Sequence, residues 1–275
     1  MKTKWLIQKY DDDQFIIDLI KEVKSQDMEC KVIKCKPWNT IDIDQYKNED
    51  CVVFYGTLNL GRQIQKQKGW VPGAYCNFQN LTCITYFSHW GKYLLNNHYL
   101  MMPILEIYRQ SNHIYNTFKT SYIFIRPDSG AKTFTGQLIN LDNLWPQLDN
   151  ILDHASMPVD QIIAIISSPK IIEKEWRCVV VNKKVITFSQ YLENDEENYK
   201  REIDKEALEL ANKIAQEKWQ PDIAYTLDIC KSDNEYLLLE VNSFSCSGLY
   251  MCDVEPIVKE VSKAAIKEWN DYNEI

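Results

Sequence analysis

Two apolar runs, Ala224 to Ile229 and Tyr236 to Val241, constrain this chain more than any other feature. A helical pattern over 205–219 leads into them, with Leu208, Ala211, Ile214 and Ala215 on its apolar side and Pro221 as its stop. A polar turn of odd length joins the runs, so they read as a hairpin whose paired residue numbers sum to even values. Strand side chains alternate between faces, which puts Tyr225, Leu227 and Ile229 on one side and Asp228 on the other. Glu240 and Asn242 are two apart and share a face, and the even sum places them beside Asp228. Two carboxylates and an amide oxygen at the end of buried strands are hard ligands suited to magnesium. Like charges are costly to bury together unless a cation neutralises them. The alternative is a solvated polar face on an amphipathic hairpin.

Upstream, Glu175 to Val181 and Val185 to Tyr191 predict a second hairpin around Asn182-Lys183. Glu175 and Arg177 lie two apart on its first strand, with Lys170 and Lys174 just before them. An arginine fork matches phosphate oxygens, and a neighbouring glutamate could hold it in place; an ordinary surface ion-pair ladder is the alternative. A third group begins at Arg126-Pro127, the end of a strand from Tyr122, and continues through Ser129, Gly130, Lys132 and Gly136. Small residues there allow backbone amides to approach an anion. The chain has no Walker-type phosphate loop and no dinucleotide fingerprint.

The amino-terminal part reads as alternating layers. Trp5 to Ile7 predicts a strand, Asp12 or Asp13 caps a helix carrying Phe15, Ile16, Leu19, Ile20 and Val23, and Cys30 to Cys35 and Cys51 to Tyr55 predict two more strands. That order implies a small parallel α/β layer. Residues 56–121 are aromatic-rich, with helical stretches expected near 60–67 and 90–110. Beyond them, Thr133-Phe134-Thr135 is strand-like, Leu144 to Leu152 helical, Ile162 to Ile166 a buried strand, Glu193 to Asp204 a charged loop, and 254–269 a helix.

Composition narrows the partners. Lys and Arg total 31 against 39 Asp and Glu, a net charge of −8, which argues against nucleic-acid coating. No apolar run approaches the roughly 18 residues of a membrane span. Nine cysteines, an odd number without close pairs, read as reduced thiols in a cytoplasmic protein, and the four histidines show no ligand-like clustering.

Taken in chain order, these groups resemble the ATP-grasp superfamily, and most of all a phage and bacterial subgroup suspected of peptide tagging or ligation. The resemblance runs from Tyr122 to Tyr250 and is carried by Glu175-Trp176-Arg177, Tyr225-Thr226-Leu227-Asp228, Leu239-Glu240-Val241-Asn242 and Ser247-Gly248-Leu249-Tyr250. It implies an α/β chain, α+β in its carboxy-terminal half, with a parallel amino-terminal domain (1–88) and a two-lobed ATP-grasp fold with antiparallel sheets (89–168 and 169–275). It implies that Arg126 and Arg177 serve the phosphates or an acyl phosphate, Lys132 a covering loop, Ser167, Ser168 and Lys170 the adenine hinge, and Glu175 the nucleotide. Asp228, Glu240 and Asn242 would hold Mg2+. The loop over 128–136 is shorter and poorer in glycine than is usual in the family, and Ser167-Ser168 stands where a glutamate-led segment is frequent. The implied activity is ATP- and Mg2+-dependent ligation of a small-molecule, peptide or protein carboxylate to an amine. A non-catalytic nucleotide- or partner-binding protein and a kinase-like phosphoryl transferase are the alternatives.

Overall fold

A computed structural model describes residues 2–37, 39, 50–67, 69–130 and 133–274. The chain begins with strand β1 (Lys4–Lys9), helix α1 (Gln14–Ser25), strands β2 (Glu29–Lys34) and β3 (Asp50–Tyr55), helix α2 (Leu58–Ile64) and strand β4 (Trp70–Gly73). The four strands form a parallel sheet in the order β2-β1-β3-β4. Asp13 sets the start of α1 by accepting the Phe15 amide at 2.8 Å, which satisfies one of the donors that a helix start leaves open.

Helix α3 (Cys83–Trp90), strand β5 (Tyr99–Pro103), helix α4 (Glu106–Phe118), strands β6 (Tyr122–Pro127) and β7 (Gln137–Asn140), helix α5 (Leu144–Asp153) and strand β8 (Ile163–Ser167) follow. Their strands make an antiparallel sheet in the order β5-β8-β6-β7. One face of it, with Ile123, Ile125, Ile139, Ala164 and Ile166, packs on Ile107 and Ile114 of α4 and Leu144, Leu148 and Ile151 of α5. The helix expected over 90–110 is absent: a single 3-10 turn at Gly91–Tyr93 leads into β5, and α4 starts only at Glu106. Nor is 133–135 a strand; the pairing falls later, on β7.

The last part holds strands β9 (Lys174–Val181), β10 (Lys184–Glu193) and β11 (Glu196–Lys200), helix α6 (Lys205–Ala215), strands β12 (Ala224–Ser232) and β13 (Glu235–Ser243) and helix α7 (Val254–Asn273). Its five strands form an antiparallel sheet in the order β11-β10-β9-β12-β13. Asn182 and Lys183 both take left-handed backbone angles, as a two-residue hairpin turn requires. The charge-dense stretch read as a loop contains β11, reached through another left-handed pair, Asn194-Asp195.

Two compact units result, 78–171 and 1–77 with 172–275. The sequence-based divisions at 88/89 and 168/169 fall elsewhere. The second unit is discontinuous because one core serves both of its sheets. Trp5, Ile7, Val53 and Tyr55 share it with Val179, Val181, Phe244 and, from α7, Ile257, Val258, Val261 and Ala265. No helix among the described residues is long and apolar enough to cross a membrane.

Candidate active site

The register of the five-stranded sheet lines up four polar side chains across four strands. Ser189 of β10 pairs with Arg177 of β9, Arg177 with Asp228 of β12, and Asp228 with Glu240 of β13. The next row on the same face is Thr187, Val179, Thr226 and Asn242. Asp228, Glu240 and Asn242 therefore do share a face, but by a different route from the one expected. The turn is the two-residue Asp233-Asn234, and near it the paired numbers sum to odd values, as in Ser232–Glu235 and Ile229–Leu238. A bulge at Leu239 then inserts one residue and restores the even sum at Asp228–Glu240 and Thr226–Asn242.

Arg177 is 7% exposed and Asp228 1%. They meet as a two-pronged pair, Nε to Oδ1 at 2.8 Å and Nη2 to Oδ2 at 2.6 Å, the geometry in which an arginine–carboxylate bond is strongest. Nη1 donates to the Gly248 carbonyl at 2.7 Å, and Asn242 Nδ2 donates to Asp228 Oδ2 at 3.3 Å. Burial works against the guanidinium charge, but Asp228 outweighs it and holds that charge well above its ordinary range. The glutamate expected to hold Arg177 does something else: Glu175 accepts the Tyr191 hydroxyl instead. Residues two apart on one strand are farther apart than residues paired across strands, and Asp228 occupies the cross-strand position.

Glu175 is pushed up to about 7, first by burial and then by the charges of Asp228 and Glu240, against the Tyr191 hydrogen bond and Arg177. Asn242 directs its amide nitrogen at Asp228, which leaves its oxygen as the ligand atom. Glu240, Asn242 and Asp228 thus make an all-oxygen donor set of the kind a hard divalent cation takes, and the residues fit magnesium. Among the described residues, no group of three or more His, Cys, Asp or Glu is arranged for a metal.

In the other unit, Arg126 of β6 pairs with Ile165 of β8, and Phe124 pairs with Ser167. Arg126 and Ser167 therefore share the sheet face opposite the isoleucine core. Ser168 and Lys170 lie in irregular chain after β8, and Lys132 lies outside the described residues. Asp128 accepts the Ile84 amide at 2.7 Å, fixing the exit from β6.

Sequence reasoning passed over Thr226. Its hydroxyl is buried without a partner, on the site face, two residues before Asp228 and directly opposite Asn242. The available signal was a hydroxyl inside an otherwise apolar run, on the same side as the carboxylate. Tyr191 and Tyr250 lie against Arg177, their ring centroids 5.5 and 5.1 Å from its guanidinium carbon.

In its family match and its fold, the chain is of the ATP-grasp class. Residues 106–260 match the sequence model described as ATP-grasp domain, R2K clade family 2, and the chain is a member of that family. D-alanine–D-alanine ligase from Bacillus anthracis is 10% identical, with a TM-score of 0.66 over 99% of this chain and 100% of that one. The D-cycloserine synthetase DcsG is 12% identical, with a TM-score of 0.59 over 95% and 99%. The ATP-grasp ligase PsnB, solved with a minimal precursor, is 13% identical, with a TM-score of 0.57 over 98% and 100%. At these identities the likeness is one of fold. No curated protein sequence matches the chain.

Proposed function

We propose that the protein is an ATP- and Mg2+-dependent ligase that joins a carboxylate to an amine. The observation that carries this reading is the row Arg177–Asp228–Glu240 with Asn242 beside it, a cation and an oxygen donor set on one rigid sheet face. A carboxylate oxygen of the donor substrate attacks the γ-phosphorus of ATP, the bond to the β-bridging oxygen breaks, and ADP leaves. The amine nitrogen then attacks the acyl carbon of the resulting acyl phosphate, phosphate departs, and the nitrogen loses a proton. Magnesium, when bound, neutralises charge on the phosphate oxygens.

Arg177, held along one edge by Asp228, offers N–H donors to the developing anion. Arg126 serves the phosphates from the face it shares with Ser167, and Lys132 takes the phosphate-covering role that the family resemblance assigns it. Ser167, Ser168 and Lys170 lie along the adenine segment, Glu175 contacts the nucleotide, and Asp228, Glu240 and Asn242 hold the metal. Thr226 adds a buried hydroxyl beside that set. The PsnB ligase was solved with a precursor, and we take a peptide or small-molecule carboxylate as the substrate here. The nine free thiols support a reducing, cytoplasmic setting.

The test is calorimetric titration of ATP with and without magnesium, followed by ADP release across paired carboxylates and amines. Magnesium-dependent binding that weakens in Asn242→Ala, with ADP release that needs the amine, is the expected result. A stable phosphorylated product would replace ligation by plain phosphoryl transfer. Absence of binding at millimolar ATP, a free energy weaker than about −4 kcal/mol, would leave a non-catalytic scaffold.

A further inference from the structure

The segment after β13 is tied down along its length. Ser245 O accepts the Gly56 amide at 2.8 Å and Ser247 O accepts the Tyr55 hydroxyl at 2.6 Å. Ser189 Oγ accepts the Met251 amide at 3.2 Å, Thr187 Oγ1 accepts the Asp253 amide at 2.8 Å, and Arg201 Nε donates to Met251 O at 2.8 Å. Inside this frame Tyr250 has φ of 51°, the left-handed region that an aromatic residue occupies only where its surroundings over-determine it. That backbone angle accompanies a specific ring placement. The Tyr250 ring stacks on Tyr191 at 4.8 Å and 17°, and on Tyr199 at 5.4 Å and 21°. Tyr191 is itself irregular, being the extra residue of the β10 bulge between Gln190–Trp176 and Leu192–Glu175. Two departures from regular backbone, on separate elements, therefore bring two rings against one guanidinium.

We propose that Tyr250 is a positioning residue for the ligation: its ring, backed by Tyr191 and Tyr199, fixes the plane of the Arg177 guanidinium. Asp228 and Gly248 hold that plane by its edges, and a group held only by its edges can still rock. Rings against it remove that freedom, so the N–H groups not engaged by Asp228 or Gly248 stand ready as anionic charge develops, without reorganisation. The aromatic face does this work, so the hydroxyl is dispensable.

The inference rests on the proposed ligase activity, and its first test does not need turnover. In protein labelled with 15N-arginine, the Arg177 Nε–H resonance is assigned by its Overhauser contacts to the Tyr191 ring. Tyr250→Leu is expected to broaden that resonance and speed its exchange with water, and Tyr250→Phe to restore it. An unchanged resonance in Tyr250→Leu overturns the proposal, whether or not the protein is a ligase. The second test is kinetic. Tyr250→Leu lowers kcat by about ten-fold or more while the magnesium–ATP Kd stays within about three-fold, and Tyr250→Phe recovers the loss. Equal loss in both variants, or a loss confined to KM, overturns the positioning role. Wild-type protein that neither binds ATP nor releases ADP refutes the ligase reading alone, and the resonance still decides the geometry.

Discussion

The two antiparallel sheets use their faces in opposite ways. In residues 78–171 the faces are divided: Ile123, Ile125, Ile139 and Ile166 make the core, and Arg126 and Ser167 stand on the other side. In the five-stranded sheet the same face carries both core and site. Val179 and Val181 belong to the hydrophobic core, and Arg177 follows two residues before Val179 on the same side, buried against Asp228. Stability and chemistry are therefore separable in the first sheet and fused in the second. A charged residue on a core face is tolerated only when its partner is buried with it.

The sharpest way to break this contrast is Asp228→Asn. The sequence alone suggests loss of turnover with the fold intact; the buried pair changes that expectation. Leaving Arg177 uncompensated costs about 3 kcal/mol or more in urea unfolding, along with turnover. Unaltered stability would show that the sheet does not fuse the two roles. Glu240→Gln comes next. Glu240 is half-buried on the outermost strand of the sheet, so turnover should fall at least about 100-fold with a stability change below about 1 kcal/mol. The same substitution removes one of the charges raising Glu175, so the Glu175 titration followed by carbon NMR should move down from about 7. Arg126→Gln tests the divided sheet: turnover should drop about ten-fold or more while unfolding shifts by under about 0.5 kcal/mol.

The smallest effect concerns pH. The Glu175 carboxyl titrates at about 7 against its usual 4.5, so the folded state binds this proton more tightly than the unfolded one. Its contribution to stability is fully present below pH 4.5 and fades as pH rises through about 7. Asp222, half-buried and also near 7, acts in the same direction. Unfolding measured from pH 4 to 9 should therefore show Glu175→Gln gaining on the wild type as pH rises, and a constant difference would refute the assignment.

What could be read in advance was local. The Asp13 cap, the Asn182-Lys183 turn and the apolar runs of β9 and β12 are encoded within a few residues of themselves, where periodicity and turn chemistry act. Residues 56–121 resisted because their structure depends on distant partners. β5 pairs with β8, more than sixty residues on, and neither Tyr99 nor Met101 carries any sign of it. The charged strand β11 was hidden for a related reason: it is an edge strand, so charge on it is no obstacle to pairing with β10 on its one inner side.

By itself the sequence determined the ingredients of the site: Arg177, Asp228, Glu240 and Asn242, on strands, with the alternation that lets them face one way. Tertiary structure decided who meets whom. The bulge at Leu239 sets the register that puts Glu240 opposite Asp228, and the β9–β12 pairing gives Arg177 to Asp228 rather than to Glu175. A bulge and a cross-strand neighbour depend on how strands from distant parts of the chain come together. The burial that drives Glu175 up to about 7 depends on the same assembly. No run of residues specifies these alone, because the energies that fix them exist only once the sheet has formed.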